Sequence, residues 1–76
     1  MNELVSHLAR GLVREPGRVR VHEHVEDGRH VIELSVAPAD RGRVIGREGR
    51  TANAMRTLLG ALAERRGGSA ALEVLD

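Results

Sequence analysis

Apolar and polar positions recur with two different periods along this 76-residue chain. Leu4, Val5, Leu8, Ala9, Leu12 and Val13 follow the spacing of one helical face, which predicts a helix over residues 3–14. Asn2 is the expected N-cap, with Glu3 in the first turn. Pro16-Gly17 is the expected stop. From residue 18 the period shortens to two. Val19, Val21 and Val25 share one side of a strand over 18–25, with Arg18, Arg20, His22 and His24 on the other. Glu-Asp-Gly-Arg at 26–29 reads as a hairpin with Asp27-Gly28 as its two-residue turn. That register pairs Val25 with His30, Glu23 with Ile32, Val21 with Leu34 and Val19 with Val36, and gathers the apolar residues on one face. Glu23 is the odd member, expected where the hairpin projects beyond the core.

Pro38 closes the second strand and suits the first turn of a short helix over 38–45, where no N–H is needed. Gly46 to Gly49 is a loop. A longer helix runs from Arg50 to about Arg66 and stops at Gly67-Gly68. Residues 70–75 form a last strand, with Leu72 and Val74 on one face. The crossover through two helices makes this strand parallel to a hairpin strand, with a right-handed connection. The fold class is therefore α+β: a three-stranded mixed sheet with three helices on one face, in the order α-β-β-α-α-β. No linker divides the chain, so residues 1–76 are expected to form a single domain.

Composition narrows the function. There is no cysteine, hence no disulfide and no thiolate metal site. No apolar run is long enough for a signal peptide or a membrane span, and a cytoplasmic location is expected. The net charge is only +1. Its distribution says more: Arg41, Arg43, Arg47, Arg50 and Arg56 stand against the single acid Glu48. Glu15, Glu23, Glu26, Asp27 and Glu33 lie elsewhere. Such asymmetry steers a polyanion to one face. Aromatic residues are absent, which excludes base stacking on Phe, Tyr or Trp. Any base contact falls to aliphatic side chains, arginine planes, histidine or hydrogen bonds.

Val44-Ile45-Gly46-Arg47-Glu48-Gly49-Arg50 is the candidate site. Two glycines three apart permit a tight turn and leave no Cβ in a ligand's way. The helix that follows directs its first N–H groups and positive dipole end toward the loop. A nucleotide P-loop would need Gly-x-x-x-x-Gly-Lys followed by Ser or Thr, and a dinucleotide fingerprint would need a strand immediately before the glycines. The segment instead resembles the Val-Ile-Gly-x-x-Gly signature of KH domains, and the element order resembles their bacterial, type II arrangement. With Val36-Ala37-Pro38, Gly42-Arg43-Val44-Ile45-Gly46 and Arg50-Thr51-Ala52-Asn53-Ala54, the whole chain resembles the KhpA family of stand-alone bacterial KH proteins.

That resemblance implies single-stranded RNA binding in a narrow groove, without catalysis or cofactor, in an RNA chaperone or post-transcriptional regulator. By position, Gly46, Arg47, Glu48 and Gly49 form the clamp and Arg43 and Arg50 flank it. Val44, Ile45 and Ala52 are candidates for the groove wall, and Asn53 completes the set. Glu48 departs from the expected basic or neutral loop residue, and opposes phosphate by up to about 1 kcal/mol at a solvated site. The resemblance also implies self-association, or pairing with a larger KhpB/Jag-like KH protein. The long helix supports an interface reading, because Ala54, Leu58, Ala61 and Leu62 broaden its apolar arc beyond what one sheet covers. The rival reading makes the chain chiefly a dimerisation module with RNA binding secondary. The four histidines lack a carboxylate or thiol at a spacing that completes a zinc site. No Ser-His-acid set or carboxylate pair suggests an enzyme, and no convergent polar set suggests a small-molecule substrate.

Overall fold

A computed structural model describes residues 1–75. Helix α1 spans Asn2–Leu12, shorter than the expected 3–14. Val13 is already extended, although its N–H still reaches the Ala9 carbonyl. Asp40 explains the early exit. Its carboxylate is 1% exposed and accepts the N–H groups of Arg14 and Glu15, each at 3.1 Å. These two bonds draw the chain out of the helix and into the 3-10 turn Pro16–Arg18. A buried acid is tolerable when its oxygens are satisfied in this way.

The start of α1 also differs from expectation. Asn2 lies inside the helix and Met1 is the N-cap, without a side-chain bond of its own. Glu23, reaching over from the first strand, takes the capping role. Its Oε1 accepts the Asn2 N–H at 3.1 Å and lies 3.6 Å from the Met1 amine. Its Oε2 is 2.7 Å from His30 Nδ1. Glu23 therefore does not project beyond the core; it is a half-buried cap shared by helix and hairpin. Burial works to raise its pKa, but the His30 hydrogen bond, the Asn2 N–H and the nearby positive charges outweigh that and hold the carboxyl below its usual range.

The sheet comprises β1 (Arg20–Glu26), β2 (Arg29–Ser35) and β3 (Ser69–Val74), in the order β1-β2-β3. β1 and β2 are antiparallel in the anticipated register, with Val25 opposite His30, Glu23 opposite Ile32 and Val21 opposite Leu34. The expected pair Val19 and Val36 lies beyond the end of the ladder, which closes at Arg20 and Ser35, though both valines are buried. β3 runs parallel to β2, with Leu72 beside Ile32. Asp27 and Gly28 take φ 51° and 78°, as a type I′ turn requires.

α2 (Arg41–Ile45) follows a 3-10 turn over Pro38–Asp40, and α3 covers Arg50–Glu64. α3 closes in a Schellman motif: Gly67, at φ 78°, donates to Glu64 O at 3.0 Å and Gly68 donates to Ala63 O at 2.9 Å. Val5 and Ala9 of α1, Val44 of α2, and Met55 and Leu59 of α3 pack with Ile32, Leu34 and Leu72 of the sheet. Burying each of the larger of these side chains contributes about 1.5–3 kcal/mol. The open edge of β3 is covered by arginine. Arg56 donates to Leu72 O, which blunts a strand edge that would otherwise invite pairing, and Arg41 donates to Leu75 O just past the strand. Among the described residues no helix is long and apolar enough to cross a membrane.

Candidate nucleic-acid interface

The loop between α2 and α3 is held by its own backbone. Gly46 N–H closes α2 on Gly42 O at 2.9 Å, and Gly49 N–H returns to Gly46 O at 3.1 Å. Gly46 sits at φ 78°, ψ 172°, a region essentially closed to other residues. A Cβ there would also stand 2.7 Å from Thr51 Cβ and 2.8 Å from Thr51 N. Gly49, at φ 77° and ψ 10°, needs its glycine for conformation rather than space. Between them Glu48 adopts φ 56° and ψ 25°, so two consecutive residues are left-handed. The first turn of α3 has no side-chain cap, although the Arg50 N–H already donates to Arg47 O; the dipole end of the helix faces the loop.

The five arginines counted in the sequence have unequal freedom. Arg56 is tied to the β3 backbone, and Arg41 to Leu75 O just past the end of that strand. Arg43 leans toward Asp40, with Nε 3.8 Å from Oδ1. Arg50 pairs with Glu48 at 3.4 Å, and both side chains are mostly exposed, so the bond adds little stability. Arg47 is exposed and has no hydrogen-bond or ion-pair partner among the described residues. The loop thus presents Arg47 outright and Arg50 through a weak, exchangeable pair.

Two expected wall residues move to another role. Val44 is 0% and Ala52 2% exposed, so both back the loop from the core and have no surface for a ligand. Their side chains face inward because α2 and the start of α3 must each bury an apolar stripe. Ile45 alone of the apolar candidates keeps accessible surface. Asn53 is exposed on the first turns of α3, and its Oδ1 accepts Arg56 Nη1 at 2.9 Å. Arg56 and Asp40 were not singled out as site or support residues by sequence reasoning. Their three-residue spacings to Asn53 and Arg43 hint at the local contacts, but nothing local points to Leu72 or to the Arg14 and Glu15 amides.

The far side of α3 differs in character. Met55, Leu59 and Ala63 are buried against the sheet, while Ala54, Leu58 and Ala61 are exposed and Leu62 is half-buried. An apolar groove of about 480 Å³ runs between α1 and α3, bounded by Leu8, Gly11, Leu12, Ala54, Met55 and Leu58 among others. His7 also borders this groove, whereas the other three histidines lie away from it. His22 and His24 have ring centroids 6.3 Å apart, and His30 is engaged by Glu23. No group of three metal-ligating side chains comes together among the described residues.

Comparison with known proteins gives a consistent answer. The family model for the KhpA/KhpB KH domain matches residues 2–74. The RNA-binding protein KhpA of Halalkalibacterium halodurans is 47% identical over 77 residues, covering 100% of both chains. The protein of the same name from Treponema pallidum is 45% identical, covering 97% of this chain and 92% of its own. That of Streptomyces coelicolor is 46% identical, covering 86% and 82%. No solved structure matches the chain at a significant level.

Proposed function

We propose, from the premise that this chain belongs to the KhpA/KhpB family of KH domains, that it is a single-domain, non-catalytic protein that binds single-stranded RNA. The relatives' shared name supports RNA as the ligand. The observation that carries the mode of binding is the Gly46–Gly49 loop, left-handed at Glu48 and Gly49, joined to a helix start without a side-chain cap and flanked by Arg43, Arg47 and Arg50. Glycine at both ends lets a phosphate approach the backbone, and the N–H groups and arginines supply donors and charge. A KH clamp of this kind holds about four nucleotides. Ile45 supplies apolar surface beside the loop, with Val44 and Ala52 supporting it from beneath. The role this suits is a cytoplasmic RNA chaperone or post-transcriptional regulator.

The test is a double substitution, Arg47→Asp with Glu48→Asp, followed by titration of a labelled single-stranded RNA. Neither side chain touches the core, so the fold should persist while binding is lost. Retained binding would move the site elsewhere.

A second reading concerns assembly. The exposed Leu58, 43% accessible, and the groove beside it favour a protein partner on the α1/α3 flank. We infer that this flank, with Ala54, Ala61 and Leu62, joins two copies or one copy and a larger KhpB/Jag-like protein. Leu58→Arg should convert a dimer to a monomer in sedimentation. A wild-type chain that stays monomeric at high micromolar concentration removes the homodimer.

A further inference from the structure

Arg56 links three parts of the molecule that the loop description leaves separate. Its Nε and Nη2 converge on Leu72 O at 3.2 and 3.0 Å, and its Nη1 donates to Asn53 Oδ1 at 2.9 Å. A guanidinium has only donors. The Asn53 atom it meets must therefore be the oxygen, which fixes the orientation of an amide that would otherwise be ambiguous. The nitrogen is then turned the other way, toward the loop: Asn53 Nδ2 lies 3.7 Å from where a Cβ on Gly49 would stand. That empty position is where the glycine leaves room for a ligand. Asn53 is exposed, and no hydrogen bond occupies its Nδ2 among the described residues.

We propose that Asn53 donates a hydrogen bond to a backbone phosphate oxygen of the bound RNA beside Gly49, and that Arg56 is the positioning residue that holds it in the donor orientation. The inference rests on the RNA-binding reading above and deepens it. Arg56 does this because it is anchored on the β3 backbone rather than free in solvent. Its three bound N–H groups are committed within the protein. The clamp is thereby assembled from α3 and the sheet edge together, not from the loop alone.

Three variants separate this role from general electrostatics. Asn53→Asp still accepts from Arg56 but offers an acceptor where a donor stood. Asn53→Ala removes the group. Arg56→Lys keeps the charge but lacks the rigid planar fork that fixes Leu72 O and Asn53 Oδ1 together. Affinities are read by fluorescence anisotropy on labelled U, A and C 12-mers, with thermal melting alongside. Asn53→Asp should weaken binding at least tenfold and Asn53→Ala severalfold, equally on all three RNAs, with melting unchanged. Arg56→Lys should match Asn53→Ala, and the double variant Asn53→Ala/Arg56→Lys should be no weaker than Asn53→Ala alone. Additive losses in the double variant, a silent Asn53→Ala, or a loss confined to one RNA would each overturn the proposal while RNA binding stands. A wild-type chain that binds none of the RNAs overturns the functional reading and this proposal together.

Discussion

Two turns in this molecule share a backbone device and differ in everything around it. At Asp27-Gly28 and at Glu48-Gly49, a charged residue with positive φ precedes a glycine at φ 78° or 77°. The hairpin turn is closed. Gly28 O accepts the Ser69 N–H at 3.1 Å, and Gly68 is so close that an added Cβ would stand 3.1 Å from the Gly28 carbonyl carbon. Asp suits the left-handed region because its short side chain bonds locally. The loop turn is open. Glu is less suited to that conformation, its side chain is mostly exposed, and the helix start behind it is uncapped. The lesson is that one left-handed turn is absorbed into the fold, whereas the other stays at the surface with its side chains exposed and a less suited residue held in the left-handed region.

The comparison can be broken most sharply by glycine replacement. Gly46→Ala should cost about 2–4 kcal/mol, from a forbidden backbone region plus the Thr51 collision. Gly68→Ala, which drives a methyl into the Gly28 backbone, should cost about 1–3 kcal/mol. Gly49→Ala should cost only about 1 kcal/mol, because conformation alone opposes it. Chemical denaturation ranks the three; a Gly49 cost above that of Gly46 would refute the steric account of Thr51. In a chain of this size 1 kcal/mol moves Tm by about 4–8 °C.

Glu23 gives the next effect. Its carboxyl is held below the usual range in the folded state, so its stabilisation is present above the ordinary carboxylate pKa and is lost as pH falls through the depressed value. Glu23→Gln should flatten the acid side of the stability curve, and Glu23→Ala should cost about 1 kcal/mol at neutral pH as a lost helix cap. An unchanged acid limb would mean that the α1 cap lies elsewhere. The smallest effect belongs to Glu48. Glu48→Gly should raise stability by about 0.5 kcal/mol by relieving a left-handed non-glycine residue, while Asp27→Gly gains less. Glu48→Gln should tighten RNA binding at low salt; unchanged affinity would show that the carboxylate is no handicap there.

Much of this was legible in the chain because it is local. Period-two valines, Asp27-Gly28 and Gly67-Gly68 give the strands, register and stops, and the two loop glycines give the candidate site. What escaped depends on tertiary partners. Asn2 looked like a cap because its residue type suits one, but Glu23, far along the chain, occupies that place. Val44 and Ala52 looked like groove wall because apolar residues beside a loop read alike whether they face core or solvent. Asp40 gives no signal of its own and Arg56 reads only as one of five clustered arginines, since the groups that anchor them, the Arg14 and Glu15 amides and Leu72 O, are backbone without a side-chain signature.

The contrast between the two turns can be tested residue by residue by following backbone amide resonances while single-stranded RNA is added. The amides of residues 46–53 should shift together and saturate, while those of Asp27, Gly28 and residues 67–69 stay in place. Shifts centred on the hairpin turn, or a silent loop at saturating RNA, would contradict the account.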